Sequence, residues 1–357
     1  MHAPRSLFFF RADHNPAWQG LRGLAMLYFF QLTFLDQFDP AKLSRISVGH
    51  PQVQAVVELV NLLLAPAAAC PEVMFVLAGY LLGRATQRAV RFRDFAFARV
   101  ERLYPCYLVV MLPLLSYLAA GPAEALRTLA LASNLGDMLK FTWMIGAVFW
   151  FCLAWVLSGA AGAVGRGFWV RLAAFWGLMA AGAAYTGHAA VTVQALGLPV
   201  GLAAWRLRER LPAWLLSLPG LCLLVFLVLA WPAAQDHLAW LALPRQAALT
   251  LAVAGLGAST GWTARLLSLP LLRYFGITAY SFLLVHATWG LRLSRSMIHS
   301  QMDSLATILV HYALSLALSG LFAGVLYVFL ERPHFLRKAK PAGNEPLTAL
   351  QGASPWK

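Results

Sequence analysis

Arg22 stands at the head of an apolar stretch, Gly20-Leu21-Arg22-Gly23-Leu24-Ala25-Met26-Leu27-Tyr28-Phe29-Phe30. A guanidinium keeps its proton under all ordinary conditions. Moving one to the centre of a hydrocarbon layer costs from about 3 to over 10 kcal/mol, so it needs a partner or a wet cavity. Two placements meet that need: a side chain turned inward to a site, or one that snorkels to phosphates one or two turns away. Further along, Thr33 and Asp36 share a helical face three residues apart. Asp36 is there either to accept a proton or as an interfacial carboxylate with no chemical task. Glu72, beside Pro71, is a second carboxylate in an apolar run, read as a proton acceptor or as an acid that positions a helix at the proline break. His286 fits a hydrogen bond to a neighbouring helix as well as contact with a ligand. Arg245 must pair inside a bundle if it is not to face lipid, and Glu58 and Asp236 are the carboxylates offered for it. Gln31, Asn61 and Gln194 read as interhelical hydrogen-bonding residues.

The elements that carry these residues follow from composition. The chain has 357 residues, 60% apolar and 12% charged, with a mean hydropathy of +0.67. Soluble proteins carry about 25% charged residues. This predicts an all-α, polytopic membrane protein. Windows of about 20 apolar residues predict transmembrane helices near 20–38, 55–83, 103–120, 143–164, 169–186, 189–205, 213–231, 239–258, 271–291 and 304–330, which makes about ten. Pro66 and Pro71 interrupt the second, and the last is long enough to tilt. Residues 1–338 read as one membrane domain, and 339–357 as a cytoplasmic tail expected to be disordered.

Orientation follows from the basic residues. One side of the predicted topology holds Arg84, Arg88, Arg91, Arg93, Arg99 and Arg102, the Arg206 to Arg210 group and both chain ends. The other holds only Lys42, Arg45, Arg127, Lys140, Arg292 and Arg295. Both termini are therefore expected in the cytoplasm. The net charge of +14 is what basic loops facing anionic headgroups produce, and nucleic acid is not an expected partner. The N-terminus does not read as a cleaved signal peptide. Four cysteines without a CxxC pair, and no HExxH or His/Cys cluster, suggest neither a disulfide framework nor a metal site. A pure transporter would show matching broken helices in two halves, and only the second span is broken.

Five blocks, in order, give the chain a resemblance. They are Leu21-Arg22-Gly23-Leu24-Ala25; Glu72 to Leu82, with Phe75 and Gly79-Tyr80; Phe97-Ala98-Arg99-Val100-Glu101-Arg102-Leu103-Tyr104-Pro105; Phe275 to His286; and Glu331-Arg332-Pro333. Together they resemble the acyltransferase 3 family of bacterial inner-membrane proteins. The resemblance implies transfer of an acetyl or succinyl group from cytoplasmic acyl-CoA to a hydroxyl of a cell-envelope or exported glycan. Acyl-CoA is then a co-substrate, with no bound cofactor, and the partners are a glycan or lipid-linked sugar and membrane lipids. Such chemistry needs a base, donors for the oxyanion and cations for the donor's phosphates. On this reading the basic segment from Arg84 to Arg102 is a cytoplasmic loop, Arg99, Arg102 and Tyr104 contact the donor, and Arg22 faces the same cavity. His286 is then the acceptor-side candidate.

The departures are as specific as the matches. Members of the family carry a histidine eleven residues beyond the first-block arginine, and here that position is Thr33, not a useful base near neutral pH. The carboxylate expected five residues after Trp143 is Val148, and the Ser of the Ser-Gly-Phe motif is Ala78. Two expectations remain open. In one, turnover persists with Asp36, or less favourably Glu72, in place of the histidine. In the other, the chain is a catalytically degenerate relative that keeps a donor or sugar-lipid cavity as a binding, export or assembly subunit.

Overall fold

Asn15 opens the first helix, α1 (Pro16–Leu35), by accepting the amides of Ala17 and Trp18 on Oδ1 at 2.8 and 3.3 Å. Proline at the first helical position has no amide to satisfy, so cap and sequence agree on where this helix starts. The computed structural model describes residues 15–35, 66, 69–86, 91–132, 142–159, 167–186, 194–233, 241–297 and 305–334. The protein is all-helical, and the described residues include no strand. The tail 339–357 lies outside them.

After α1 come α2 (Cys70–Ala85), α3 (Phe92–Tyr117), α4 (Pro122–Leu129), α5 (Thr142–Ser158), α6 (Phe168–Thr186) and α7 (Gly197–Leu207). These are followed by the single turn α8 (Ala213–Leu216), α9 (Pro219–Ala233), α10 (Ala242–Ala258) and α11 (Trp262–Leu267). The predicted ninth span is three pieces, α12 (Pro270–Ile277), α13 (Ala279–Val285) and α14 (Leu291–Met297), with a bend at Thr278 and a π-turn at His286–Gly290. The last element, α15 (Leu305–Leu326), runs into a second π-turn at Tyr327–Glu331. Among the described residues, one continuous helix, Ala306–His334, is long and apolar enough to cross a membrane, with shorter apolar helices at Trp143–Ser158, Phe168–Met179 and Pro219–Trp231.

The segment read as a basic loop is corrected in its second half. Helix α3 begins at Phe92, so Arg93, Arg99 and Arg102 stand on a helix that continues through Pro105 and Pro113. Proline loses one hydrogen bond but its φ remains helical, so Arg102-Leu103-Tyr104-Pro105 forms no separate turn.

Two glycine seams set the helix spacing. A Cβ on Gly23 would lie 1.9 Å from the Leu272 carbonyl, and one on Gly276 would lie 1.7 Å from that of Gln19, so α1 and α12 touch backbone to backbone. Gly79 against the Leu198 carbonyl and Gly201 against that of Val76, each at 2.0 Å, do the same for α2 and α7. Small residues at such contacts are how helices associate without a hydrophobic gradient between them. A polar seam runs along α15 and its π-turn: His311, Ser315, Ser319, Ala323, Tyr327 and Glu331, every fourth residue, are all buried. Ser315 hydrogen-bonds Ser294, Ser319 fills the space left by Gly290, and Ser281 donates to Glu331. Beside the core, Tyr107 donates to the Thr128 carbonyl at 2.6 Å and Trp150 to that of Leu131 at 3.2 Å, holding the segment after α3 against α3 and α5. Replacing Tyr107 with Phe leaves that carbonyl unpaired and is expected to remove about 1–2 kcal/mol. The readout is a lower unfolding midpoint in detergent, with Tyr117→Phe, whose ring is exposed, unchanged.

Candidate functional site

Arg22 points inward. Its guanidinium lies within electrostatic reach of Arg102 on α3 and of Glu331 and Tyr327 in the final π-turn. The next residue, Gly23, presses α1 onto α12 and so fixes the level at which Arg22 enters the bundle. Glu331 is fully buried and accepts a hydrogen bond from the Ser281 hydroxyl, which also lies 3.5 Å from Cys106 Sγ. Tyr280, next to Ser281, donates to the Leu103 carbonyl at 2.9 Å and ties α13 to the α3 turn that carries Arg102. Tyr327 lies within reach of Arg22, Arg102, Glu331 and Arg332 together. Beside Arg102, Glu101 contacts His334 at 3.2 Å.

Two guanidiniums, Arg22 and Arg102, thus lie within electrostatic reach of the Glu331 carboxylate, with Arg332 beside Tyr327. Arg22 Nε and Glu331 Oε2 are buried and make no hydrogen bond among the described residues. A planar guanidinium such as that of Arg22 or Arg102 can hold a phosphate or carboxylate through two parallel N–H bonds. Glu331, buried and bonded to Ser281, is not placed as a solvent-facing base.

The other candidates are dispersed. Thr33 lies eleven residues beyond Arg22, about 16 Å along the helix axis. Its hydroxyl donates back to the carbonyls of Phe29 and Phe30, at 3.1 and 2.9 Å. Between the two levels lie Met26, Phe29, Phe30, Phe282 and His286, all buried. The His286 ring stacks on Phe282 with centroids 5.4 Å apart and an 8° tilt, meets Phe29 edge-on at 5.5 Å, and its Nδ1 lies 2.9 Å from the Phe282 carbonyl. This is the packing of an interior ring. Asp36 lies outside the described residues. Glu72 forms a bidentate ion pair with Arg245, Nε to Oε2 at 2.9 Å and Nη2 to Oε1, with neither side chain more than 8% exposed. Arg245 therefore pairs with Glu72, which corrects the expectation of Glu58 or Asp236, and both oxygens of Glu72 are committed to joining α2 and α10. Arg99 lies over the Phe95 ring at 4.9 Å and within reach of Cys152. Tyr104 packs against Tyr107 and Phe149 with centroids 6.3 and 6.0 Å apart. Val148 packs against the core, and Trp143 meets Phe75 at 5.4 Å.

Glu331, Tyr327 and Ser281 lie beside Arg22 and Arg102, although Ser281 and Glu331 have no expected role within their blocks and Tyr327 lies in none. A carboxylate ending a row of buried residues at i+4 spacing was the available signal. Comparison of the chain with family models, with curated proteins and with solved structures finds no match.

Proposed function

We propose that this protein is a multi-pass inner-membrane acyltransferase that takes an acetyl or succinyl group from cytoplasmic acyl-CoA to a hydroxyl of an envelope or exported glycan. The observation that carries the reading is the convergence of Arg22 and Arg102, far apart in sequence, on one cluster with Glu331 and Tyr327. A pyrophosphate is the ligand that such a pair of planar cations fits best. Helices α1 and α15 also run antiparallel, with Phe34 beside His311 and Tyr312 at one end and Arg22 beside Tyr327 and Glu331 at the other. The start of α1 and the end of the last helix therefore share an end, as two cytoplasmic termini require. The three shorter apolar helices among the described residues are consistent with crossings that bend or tilt within a bundle.

A second reading, a degenerate binder that holds the donor or a sugar lipid without turnover, draws on two observations. The Thr33 hydroxyl is engaged with its own helix, and Glu72 is spent on Arg245.

Acetyl-CoA binding to purified protein in nanodiscs tests the shared premise. Each charge-assisted bond to a phosphate contributes about 1.5–3 kcal/mol, so Arg22→Gln and Arg102→Gln are each expected to weaken binding about 10- to 100-fold. Affinity unchanged in both variants removes the donor-site assignment. Labelled acetyl transfer to a glycan acceptor then separates the readings: turnover in the wild type supports the enzyme, whereas turnover that appears only in Thr33→His supports the binder.

A further inference from the structure

A second group of arginines lies one turn nearer the start of α1. Trp18, four residues before Arg22 and about 6 Å away along the axis, meets Tyr80 of α2 edge-on with centroids 5.4 Å apart, and Tyr80 meets Trp205 of α7 at 5.3 Å. The three rings are fixed from several sides. Trp18 Nε1 donates to the Val253 carbonyl at 2.8 Å, and Gly83 leaves room for Trp205, whose ring atoms come within 2.7 Å of where a Cβ would stand.

The two ends of this aromatic row each carry a guanidinium. Arg84, in the last turn of α2, lies 5.7 Å from the Trp18 ring centroid, and Arg208, just after α7, lies 3.4 Å from that of Trp205. Both are within electrostatic reach of the central Tyr80. Arg208 Nη1 donates to the Trp205 carbonyl at 2.8 Å and Nη2 to the exposed carboxylate of Glu209 at 2.6 Å. Arg84 is exposed and makes no hydrogen bond or ion pair among the described residues. A stacked guanidinium keeps its N–H edge available, and stacking lowers the entropy lost on binding. Glu209 is itself solvent-facing, and an anion between the two arginines replaces it at little cost.

We infer that Arg84 and Arg208, held on the Trp18–Tyr80–Trp205 row, form a second phosphate site at the inner mouth, separate from the Arg22–Arg102 cluster. One turn of α1 separates the two, which suits a ligand with two phosphate groups joined by a short linker, such as the ribose 3′-phosphate and pyrophosphate of coenzyme A. The identity of that ligand rests on the proposed function; the phosphate site does not. An anionic lipid headgroup of the inner leaflet carries the same chemistry.

Coenzyme A and dephospho-coenzyme A, which lacks the 3′-phosphate, separate these sources when titrated against the wild type and the Arg84→Gln/Arg208→Gln double variant. Wild type is expected to bind coenzyme A about 10- to 100-fold more tightly than the dephospho form, two charge-assisted contacts being lost. The double variant binds both alike, and Arg84→Lys/Arg208→Lys recovers part of the difference. In parallel, unfolding midpoints are measured in nanodiscs with phosphatidylglycerol and with phosphatidylcholine alone, with Arg265→Gln, an exposed arginine elsewhere, as control. A phosphatidylglycerol-dependent stabilisation lost only in the double variant identifies the lipid as the source, even if coenzyme A binds no variant and the proposed function falls. Equal binding of the two coenzyme forms to wild type, with no lipid effect specific to Arg84 and Arg208, overturns the inference.

Discussion

Glu72→Ala is expected to lower stability by about 3–5 kcal/mol, because it leaves the Arg245 guanidinium in the core of the bundle with its carboxylate gone. Both side chains are almost fully buried and their pairing joins α2 to α10. Arg245→Met should cost a similar amount by stranding the carboxylate, whereas Glu72→Leu with Arg245→Met recovers most of the loss, since an apolar pair needs no desolvation. Urea or thermal unfolding in detergent reads all three. A single variant within about 1 kcal/mol of wild type would mean that the pair is open to solvent, and would return Glu72 to the list of proton acceptors.

Gly276→Ala carries the second large effect, and its sign is the informative part. In an exposed helix interior, Gly to Ala stabilises by about 0.5–1 kcal/mol, and that is the expectation for Gly177, where a Cβ meets nothing within 4 Å. At Gly276 the same methyl would stand 1.7 Å from the Gln19 carbonyl, a backbone atom with no rotamer to move to. The α1–α12 contact must open, for a loss of about 1–3 kcal/mol. Arg22, three residues past Gln19, moves with it, so donor affinity should fall along with the melting temperature. Gly23→Ala, 1.9 Å from the Leu272 carbonyl, should behave alike. Gly276→Ala as stable as Gly177→Ala would show that the two helices are not in backbone contact.

Much of this arrangement is legible in the residues alone. Arg22 in an apolar run needs either an interior partner or a reach to headgroup phosphates, and of the two it turns inward. Gly23, Gly79 and Gly276 fall in the blocks that carry the resemblance, and each lies at a backbone contact. Partner identity is harder, because it depends on how helices far apart in sequence face one another. Arg245 illustrates this: Asp236, close by in sequence, and Glu58, farther off than Glu72, are equally acceptable on sequence grounds, and only packing selects Glu72. The apolar window starts α3 near 103, whereas the helix begins at Phe92, because its first turns are rich in arginine and hydropathy does not register them. Glu331 is legible only as part of a block at the end of the last span, because a charged residue closing an apolar helix does not reveal which way it turns. The π-turn at Tyr327–Glu331, which shifts the side chains beyond it round the axis, has no signature in composition.

The row of small hydroxyls between α15 and the α12–α14 segment keys the two rods together like a splined shaft. Sliding one past the other by a turn, about 6 Å, in the direction that sets Tyr327 against Ser281 also sets the bulk of His311 onto Ser294. Translation in that direction is therefore blocked at both ends of the row, while rotation about Thr278, where the chain changes direction between α12 and α13, leaves every tooth of the spline engaged.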